Sequence, residues 1–325
     1  MIDVHAHVVL TEVLGAAGPA GPEMGQDAQG NPWYRAGDYV LNGVRYLETP
    51  FTDVNLRLNL MAQMGIERQV LSPNPLTYFH GIEASLATNF CRVHNQAMHD
   101  LVEAHPEKLM GLGALPMQDI PQAMDELSWI KERGFVGAAI GTWPGCDLHD
   151  RALDPFYETV QALDLPLFLH PTPSGIDRPK DPRLGAFDQE LTIGFALDET
   201  LAVSQLVFGG VLDRHPQLDI CLSHGGGALG FLAGRLDQAA RKRPWVEPFL
   251  REDPTAFRRS CQRLWFDTHT HSRKALELLV DLVGSDRLVY GSNFSGWDQD
   301  GSPITDEEFL AKINNNALKL LRLSL

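Results

Sequence analysis

Short apolar runs alternate with longer amphipathic stretches along the whole chain. The runs are rich in Val, Ile, Leu or Phe and end in polar or turn residues. Such runs are typical of buried parallel strands. There are eight of them: 2–7, 69–72, 109–115, 135–141, 165–170, 218–224, 264–267 and 287–292.

The stretches between these runs have apolar residues at helical spacing. The clearest of them are 55–65, 120–133, 154–163, 199–215 and 273–284. A strand–helix alternation repeated eight times predicts a closed parallel barrel of the (β/α)8 TIM type, formed by residues 1–325 as one domain. The alternative is a doubly wound open sheet. No Gly-x-Gly-x-x-Gly pattern follows the first run, so dinucleotide binding has no support.

Two segments interrupt the repeat. Segment 11–50 is rich in Gly and contains Asn42-Gly43 between apolar residues. That pair is a hairpin-turn signal, so the segment is predicted to be a small β-hairpin insertion after the first strand, over the barrel mouth. Segment 171–189 is a Pro- and Gly-rich loop after the fifth run. Long loops at the carboxyl ends of barrel strands commonly cover active sites.

Histidines end two of the predicted strands. His5-Ala6-His7 closes the first run and His170 closes the fifth. Because side chains alternate along a strand, His5 and His7 are expected on the same side, facing the barrel interior near its mouth. Imidazoles fixed in this way suit a divalent metal. The alternative is that they are core histidines, since the chain has 12 histidines in all.

A third strand end combines a histidine with glycines. His224 ends the sixth run and is followed by Gly225-Gly226-Gly227. Histidine donates or accepts a proton near neutral pH, which makes His224 a candidate acid/base. The glycines either let a substrate approach the backbone or serve only the turn.

Charge and cysteine content narrow the classes of partner and compartment. Lys and Arg total 27 and Asp and Glu total 42, which gives a net charge of −15. An acidic surface repels phosphate backbones, which disfavours nucleic acid as a partner. The four cysteines contain no Cys-x-x-Cys pair, which argues against a disulfide framework and predicts a reducing, cytoplasmic location. Neither a signal-peptide start nor an apolar window of about 20 residues is visible, so no membrane association is expected.

Taken together, these motifs resemble the amidohydrolase superfamily, and within it the aminocarboxymuconate-semialdehyde decarboxylase group. The two most specific parts are His5-Ala6-His7 and the segment from Ser223 to Ala228. Further matching pieces are 114–118, 140–142, 169–171, 208–211 and 316–317. The resemblance therefore covers nearly the whole chain.

The resemblance implies roles for particular residues. His5, His7 and His170 correspond to metal ligands, and His224 corresponds to the acid/base. Arg45, after the insertion, resembles an arginine that holds a substrate carboxylate, with Arg57 as its competitor for that role. The family also implies a homodimer.

The chain departs from the family at Asn293, where the family pattern has a metal-binding Asp. An Asn can coordinate through its carbonyl oxygen, but it has no charge and cannot act as a base. Three neutral imidazoles and Asn293 leave the metal's charge uncompensated, which favours an anionic substrate and disfavours a hydrolytic route that needs an Asp base. Asp298, five residues further on, could supply the missing carboxylate.

Other residues near the predicted mouth are candidates for substrate contact. His269 and His271 form a second His-x-His after the seventh run, which is either a polar rim or a substrate contact, and His269 is the candidate for that contact. Trp143, Phe294 and Trp297 follow strands, and each either forms the wall of a pocket or packs in the core.

The sequence therefore predicts a metal-dependent, non-oxidative decarboxylase that acts on an unsaturated or aromatic carboxylic acid. Its cofactor would be one divalent metal, zinc in the first place and manganese as the alternative. A second hypothesis is a hydrolase or hydratase that uses metal-activated water. A third is a degenerate site that only binds a small acid.

Overall fold

The computed structural model describes residues 1–299, 304 and 306–323. Its strands are β1 (Ile2–Val8), β2 (Glu23–Gln26), β3 (Pro32–Ala36), β4 (Tyr39–Asn42), β5 (Arg68–Pro73), β6 (Leu109–Ala114), β7 (Gly137–Gly141), β8 (Leu167–His170), β9 (Ile220–Leu222), β10 (Trp265–Asp267) and β11 (Leu288–Val289).

The α-helices of the described residues lie mostly between these strands. They are α1 (Val54–Gln63), α2 (Ala84–Ala104), α3 (Ile120–Glu132), α4 (Asp154–Ala162), α5 (Phe195–Phe208), α6 (Val211–Arg214), α7 (Leu229–Lys242), α8 (Pro248–Glu252), α9 (Ala256–Cys261), α10 (Arg273–Val283) and α11 (Glu307–Leu320). Short 3-10 turns occur at Thr11–Val13, Gly18–Ala20, Pro75–Thr77, Arg151–Leu153 and His224–Gly226, and a π-helical turn at Glu190–Gly194.

Eight strands form the predicted barrel. Their order is β1-β5-β6-β7-β8-β9-β10-β11, and all neighbouring strands are parallel. The first and last strands meet where the Val4 N–H donates to the Tyr290 carbonyl at 2.9 Å and where Ala6 bridges to Phe294. The (β/α)8 barrel is thus confirmed, because an open sheet would not bring these two ends together.

Each barrel strand contributes at least one side chain to an inner apolar cluster. Its members on the strands are Ile2, Val4, Val70, Met110, Leu112, Ala139, Phe168, Cys221, Trp265 and Val289. Leu320 and Leu321, at the end of α11, pack against the same cluster. A second, larger cluster fills the space between the barrel and its helices. The barrel is therefore a filled core, and its chemistry must lie at one end.

The insertion after β1 contains the predicted β structure, but its turn lies elsewhere. Strands β2, β3 and β4 form a separate antiparallel sheet. The tight turn is Gly37-Asp38, because Ala36 pairs with Tyr39, and Gly37 has a φ of 56°. The prediction of a turn at Asn42-Gly43 is wrong. Gly at the first central position of a two-residue hairpin satisfies the positive φ there, whereas Asn42 only ends β4.

The helix 199–215, predicted as one, is two helices. The chain leaves α5 at Gly209 and enters α6 after Gly210, whose φ of 65° is left-handed. A left-handed residue cannot continue an α-helix, and Gly adopts this conformation at little cost.

Candidate metal centre and active site

Three buried imidazoles meet at the carboxyl ends of the strands. His5 and His7 lie on β1 and His170 ends β8, and the exposed fraction of each residue is 5% or less. Their candidate ligand nitrogens all lie within 4.8 Å of one another, and the two Nε2 atoms of His5 and His7 are 3.2 Å apart. The structure thus brings together the three residues that the sequence proposed as metal ligands.

An irregularity in β1 directs two of these rings inward. Between Asp3 and Ala6 the register against β5 advances by three residues on β1 but by only two on β5. Below this β-bulge the even-numbered Val4 joins the inner cluster, whereas above it the even-numbered Ala6 joins the outer one. The extra residue reverses the alternation, so His5 and His7 face the interior.

The hydrogen bonds of two rings fix where their protons lie. His5 Nδ1 is 2.6 Å from the Asp267 carboxylate, and His170 Nδ1 is 2.7 Å from the Pro171 carbonyl oxygen. A carboxylate and a carbonyl only accept hydrogen bonds, so each Nδ1 carries the proton and each Nε2 keeps its lone pair. His170 Nε2 is buried and has no hydrogen-bond partner.

The third ring has the same tautomer. His7 Nδ1 is 2.7 Å from Ser72 Oγ, and that hydroxyl donates to the Ala6 carbonyl at 3.2 Å. The hydroxyl proton is thereby committed, so His7 Nδ1–H donates to Ser72 and His7 Nε2 also keeps its lone pair. Three lone pairs that converge without a proton between them repel one another unless a cation lies among them. The residues present therefore fit a divalent metal, and their hydrogen-bonded Nδ1 atoms match the usual surroundings of metal-binding imidazoles.

Burial keeps these imidazoles neutral. It lowers the pKa of His5 to about 4, against the opposing charge of Asp267, and it holds the pKa values of His7 and His170 well below their usual range. A histidine binds metal only in its neutral form. The three rings are thus in the protonation state that a metal needs at neutral pH.

His224 lies beside the three imidazoles in a different electrostatic setting. Its ring centroid is 5.0 Å from those of His5 and His170, and its Nδ1 is 2.7 Å from the buried Glu199 carboxylate. Burial alone would lower the pKa of His224, but the charge and hydrogen bond of Glu199 raise it to about 9. This ring is therefore protonated at neutral pH and can donate a proton, as expected of an acid/base.

The glycines after His224 serve close packing as well as the turn. A Cβ atom on Gly227 would lie 2.2 Å from the Ala196 carbonyl oxygen, and Gly227 has a φ of 67°. Position 227 thus accepts only Gly, because a side chain would force α5 away from the loop.

Three supporting residues were not identified from the sequence: Asp267, Glu199 and Ser72. Asp267 ends β10, is fully buried, and also accepts backbone N–H bonds from Gly225 and His269 at 3.1 Å. The sequence indicated Asp267 only by its position at the end of an apolar run. Glu199 lies inside α5 and Ser72 inside β5, and neither belongs to a recognisable motif.

Asn293 lies next to a carboxylate. Its Nδ2 donates to Asp298 Oδ1 at 2.6 Å, and both residues are largely buried. An aspartate at position 293 would place two carboxylates about 3 Å apart, which at an effective dielectric of ~20 costs roughly 5 kcal/mol. An asparagine at position 293 therefore fits beside Asp298, whereas an ionised aspartate at this position would be repelled. Coordination of a metal by Asn293 stays a prediction.

The two arginines have different environments. Arg45 is exposed, forms an ion pair with Glu48, and donates from Nε to the Leu47 carbonyl at 3.0 Å. Arg57 is buried and donates to Gln69 Oε1 and to the His7 carbonyl, both at 2.6 Å. Arg57 thus joins β1, at His7, to β5, at Gln69. Binding of a substrate carboxylate by Arg45 stays a prediction.

The aromatic candidates divide between core and surface. Phe294 is fully buried, with the Arg57 guanidinium 4.9 Å from its ring centroid, so it packs in the core. Trp297 is 68% exposed, and Trp143 is half-buried after β7. His269 is buried, and its ring centroid is 6.0 Å from that of His5, so it borders the site.

A (β/α)8 barrel in which three imidazoles converge at the carboxyl ends of β1 and β8, with a fourth histidine after β9, has the arrangement of a metal-dependent barrel enzyme. The chain belongs to the amidohydrolase family, whose model matches residues 2–322.

Curated relatives include enzymes of two reaction types. A 2-amino-3-carboxymuconate-6-semialdehyde decarboxylase from Dictyostelium discoideum is 28% identical over 77% of this chain and 68% of its own length. A gamma-resorcylate decarboxylase from a Polaromonas species is 29% identical over 73% of this chain and 76% of its own. A 2-keto-4-carboxy-3-hexenedioate hydratase from a Sphingobium species is 26% identical over 78% of this chain and 72% of its own.

A solved structure shares the fold over nearly the full length. It is a dihydroxybenzoic acid decarboxylase from a Polaromonas species with bound manganese and the inhibitor 2-nitroresorcinol. Its TM-score is 0.75 at 23% identity, and the match covers 99% of this chain and 96% of that one.

Proposed function

We propose that this chain is a metal-dependent, non-oxidative decarboxylase of an unsaturated or aromatic carboxylic acid. The observation that carries the proposal is the convergence of three Nε2 lone pairs, from His5, His7 and His170, beside His224, whose Nδ1 is held by the Glu199 carboxylate. Two of the three relatives described above are decarboxylases, which supports the same reaction class.

In this proposal His224 supplies the proton that the reaction consumes. His5, His7 and His170 would hold a divalent metal, which would supply Lewis-acid chemistry that withdraws electron density from the substrate carboxylate. The bond between the substrate carbon and its carboxylate breaks, and CO2 leaves. The electron pair left on that carbon takes the proton from His224 Nε2, while Glu199 holds Nδ1 and orients the ring.

Zinc is our first proposal for the metal, with manganese as the alternative. Imidazole ligands suit zinc, whereas oxygen ligands from a bound carboxylate suit manganese. The related Polaromonas structure contains manganese. Metal analysis of protein purified without a chelator distinguishes the two.

The first prediction is release of CO2. The metal-loaded chain should release one CO2 for each molecule of a muconate-type or hydroxybenzoate-type acid consumed, and removal of the metal should stop the release. The measurement is CO2 yield against loss of substrate across a panel of such acids, with each acid's methyl ester as the control. Metal-bound protein that converts none of these acids would contradict the proposal, and protein that binds them without metal would favour the small-acid-binding hypothesis.

Hydration of a double bond is the second candidate function, because a hydratase is among the relatives. A hydratase would add the mass of water to an unsaturated acid and release no CO2. Mass spectrometry of the products of the same panel therefore separates the two reactions.

Substrate contacts are assigned by position in this proposal. His269 borders the three imidazoles, and Trp143 follows the neighbouring strand β7. Arg45 can reach a substrate carboxylate only after it leaves Glu48. Trp297, exposed beside Asp298, is a candidate contact at the mouth.

We also propose a homodimer in a reducing, cytoplasmic compartment. Ile193, Leu197 and Leu201, at helical spacing, are 52%, 42% and 49% exposed, and nearby Phe187 is 89% exposed. An exposed apolar stripe of this kind is suited to an interface.

The stretch Glu190–Phe208 has the length and the mean hydropathy, 1.3, of a membrane span, but it is a barrel helix that places Glu199 in the site.

The second prediction concerns this stripe. The protein should sediment as a dimer, and Leu197→Glu together with Leu201→Glu should produce monomers, because four charged side chains would then have to be buried in the interface. Sedimentation velocity measures the change, and Leu278→Glu, at an exposed leucine on α10, is the control. A wild-type monomer would contradict the dimer proposal.

A further inference from the structure

Three further side chains meet at the barrel mouth and are called here the second cluster. The first cluster is the group of three imidazoles described above. Asp298 Oδ2 is 3.0 Å from His271 Nε2 and 3.3 Å from His269 Nε2. The candidate ligand atoms of these three residues all lie within 4.8 Å of one another. The two histidines follow β10 and the aspartate follows β11, so neighbouring strands deliver the group to one place.

The spacing suits metal ligands at least as well as simple ion pairs. Both imidazoles approach the same carboxylate oxygen of Asp298, and 3.3 Å is long for a charge-assisted hydrogen bond, which is typically about 2.7–2.9 Å. Ligand atoms about 2.1 Å from a tetrahedral ion stand roughly 3.4 Å apart. The distances of 3.0 and 3.3 Å are close to that separation, as is the 3.2 Å between His5 Nε2 and His7 Nε2 in the first cluster.

The Asp298 carboxylate has the outer hydrogen bond that metal-binding carboxylates usually have. Asp298 Oδ1, the oxygen that is not bonded to the histidines, accepts the 2.6 Å hydrogen bond from Asn293. Ligating carboxylates usually have such an outer hydrogen bond.

The two loops that form the group contain three non-glycine residues with left-handed backbone conformations. His271, Asn293 and Ser295 have φ values of 56°, 47° and 61°. Such left-handed conformations are uncommon for residues other than Gly and persist where the surrounding structure or a ligand stabilises them. Both loops thus hold conformations that bring the second cluster together.

We propose that His269, His271 and Asp298 form a second divalent-metal site for a first-row transition ion such as Zn²⁺ or Mn²⁺. The ring centroid of His269 lies 6.0 Å from that of His5 and 5.7 Å from that of His224, so the second ion would be a close neighbour of the first. Two imidazoles and one carboxylate leave coordination positions open at the mouth, where an anionic group can enter. This site is independent of the decarboxylase assignment, because its test is metal binding.

The experiment measures stoichiometry in the full, untagged chain. Metal-free protein is titrated with Zn²⁺ by calorimetry, and bound metal is counted by elemental analysis after gel filtration. Wild type should bind two ions per chain, His271→Ala one, and His5→Ala one. His149→Ala, which removes an exposed histidine on another loop, is the matched control and should bind two.

Manganese gives a second readout. Two Mn²⁺ ions at neighbouring sites should broaden the electron paramagnetic resonance spectrum by spin–spin coupling, and His271→Ala should restore the spectrum of an isolated ion. Circular dichroism melting confirms that each variant is folded, and Asp298→Ala replaces His271→Ala if that variant is not. A single ion in wild type that is lost in His5→Ala and kept in His271→Ala, or two ions in folded His271→Ala and Asp298→Ala, would overturn the proposal.

Discussion

Replacing His170 with alanine should remove the metal from the first site and, with it, the decarboxylase activity. His170 Nε2 is buried and has no hydrogen-bond partner. It lies close to the ligand nitrogens of the other two histidines. Loss of one of three protein ligands should weaken binding by more than the 10- to 100-fold typical of losing an outer partner. Equilibrium dialysis against a zinc indicator measures the affinity, and a coupled CO2 assay measures the activity.

Asp267→Asn is the matched comparison for His170→Ala. It keeps the shape of the side chain but removes the charge that accepts the hydrogen bond of His5 Nδ1. Metal affinity should fall about 10- to 100-fold, with activity restored by excess metal. His170→Ala should not recover in the same way. Full metal content and unchanged turnover in His170→Ala would show that the three imidazoles are not the metal site.

The sequence could predict which histidines lie close together because the barrel makes their location predictable. Side chains at the carboxyl ends of parallel strands meet at one mouth, so the ends of β1, β8 and β9 were enough to bring His5, His170 and His224 together. The eight barrel strands could also be predicted from the sequence, because each of them is a buried apolar run.

The supporting residues could not be predicted in this way. Asp267 meets His5 across 262 positions of sequence, and Glu199 meets His224 from inside a helix. These pairs depend on three-dimensional packing, which has no local pattern. The bulge between Asp3 and Ala6 is also silent in the sequence, although without it strict alternation from Val4 would turn His5 and His7 away from the interior.

Other differences have local causes. Gly209-Gly210 indicates the break between α5 and α6. Because the apolar residues on both sides of this pair have helical spacing, the sequence predicted one continuous helix. The 21-residue helix α2 was not predicted, because its apolar positions are interrupted by buried polar residues such as His94 and Asn95. Asn95 is buried because its side chain bonds both the N–H and the carbonyl of Ala114.

Replacing His224 with glutamine should lower kcat by about 10²- to 10⁴-fold while the metal stays bound, since a positioned general acid contributes that much. The ring is held by Glu199 and is not one of the three clustered ligands, so its loss should leave metal content unchanged. The measurements are kcat under saturating substrate and bound metal per chain. Metal loss in step with activity would reassign His224 as a ligand.

The pH dependence tests the same role through Glu199. If protonated His224 is the acid, activity is full below its pKa and falls as pH rises through that pKa, which Glu199 raises to about 9 against the effect of burial. A bound metal lowers this value but leaves the contribution of Glu199 with the same sign. Glu199→Gln removes that charge, so the alkaline limb of the kcat profile should move to lower pH. Ser223→Ala also loses a bond to Glu199 but keeps the charge beside His224, so its limb should stay near that of wild type. An unmoved limb in Glu199→Gln would show that His224 is not the group whose protonation limits turnover.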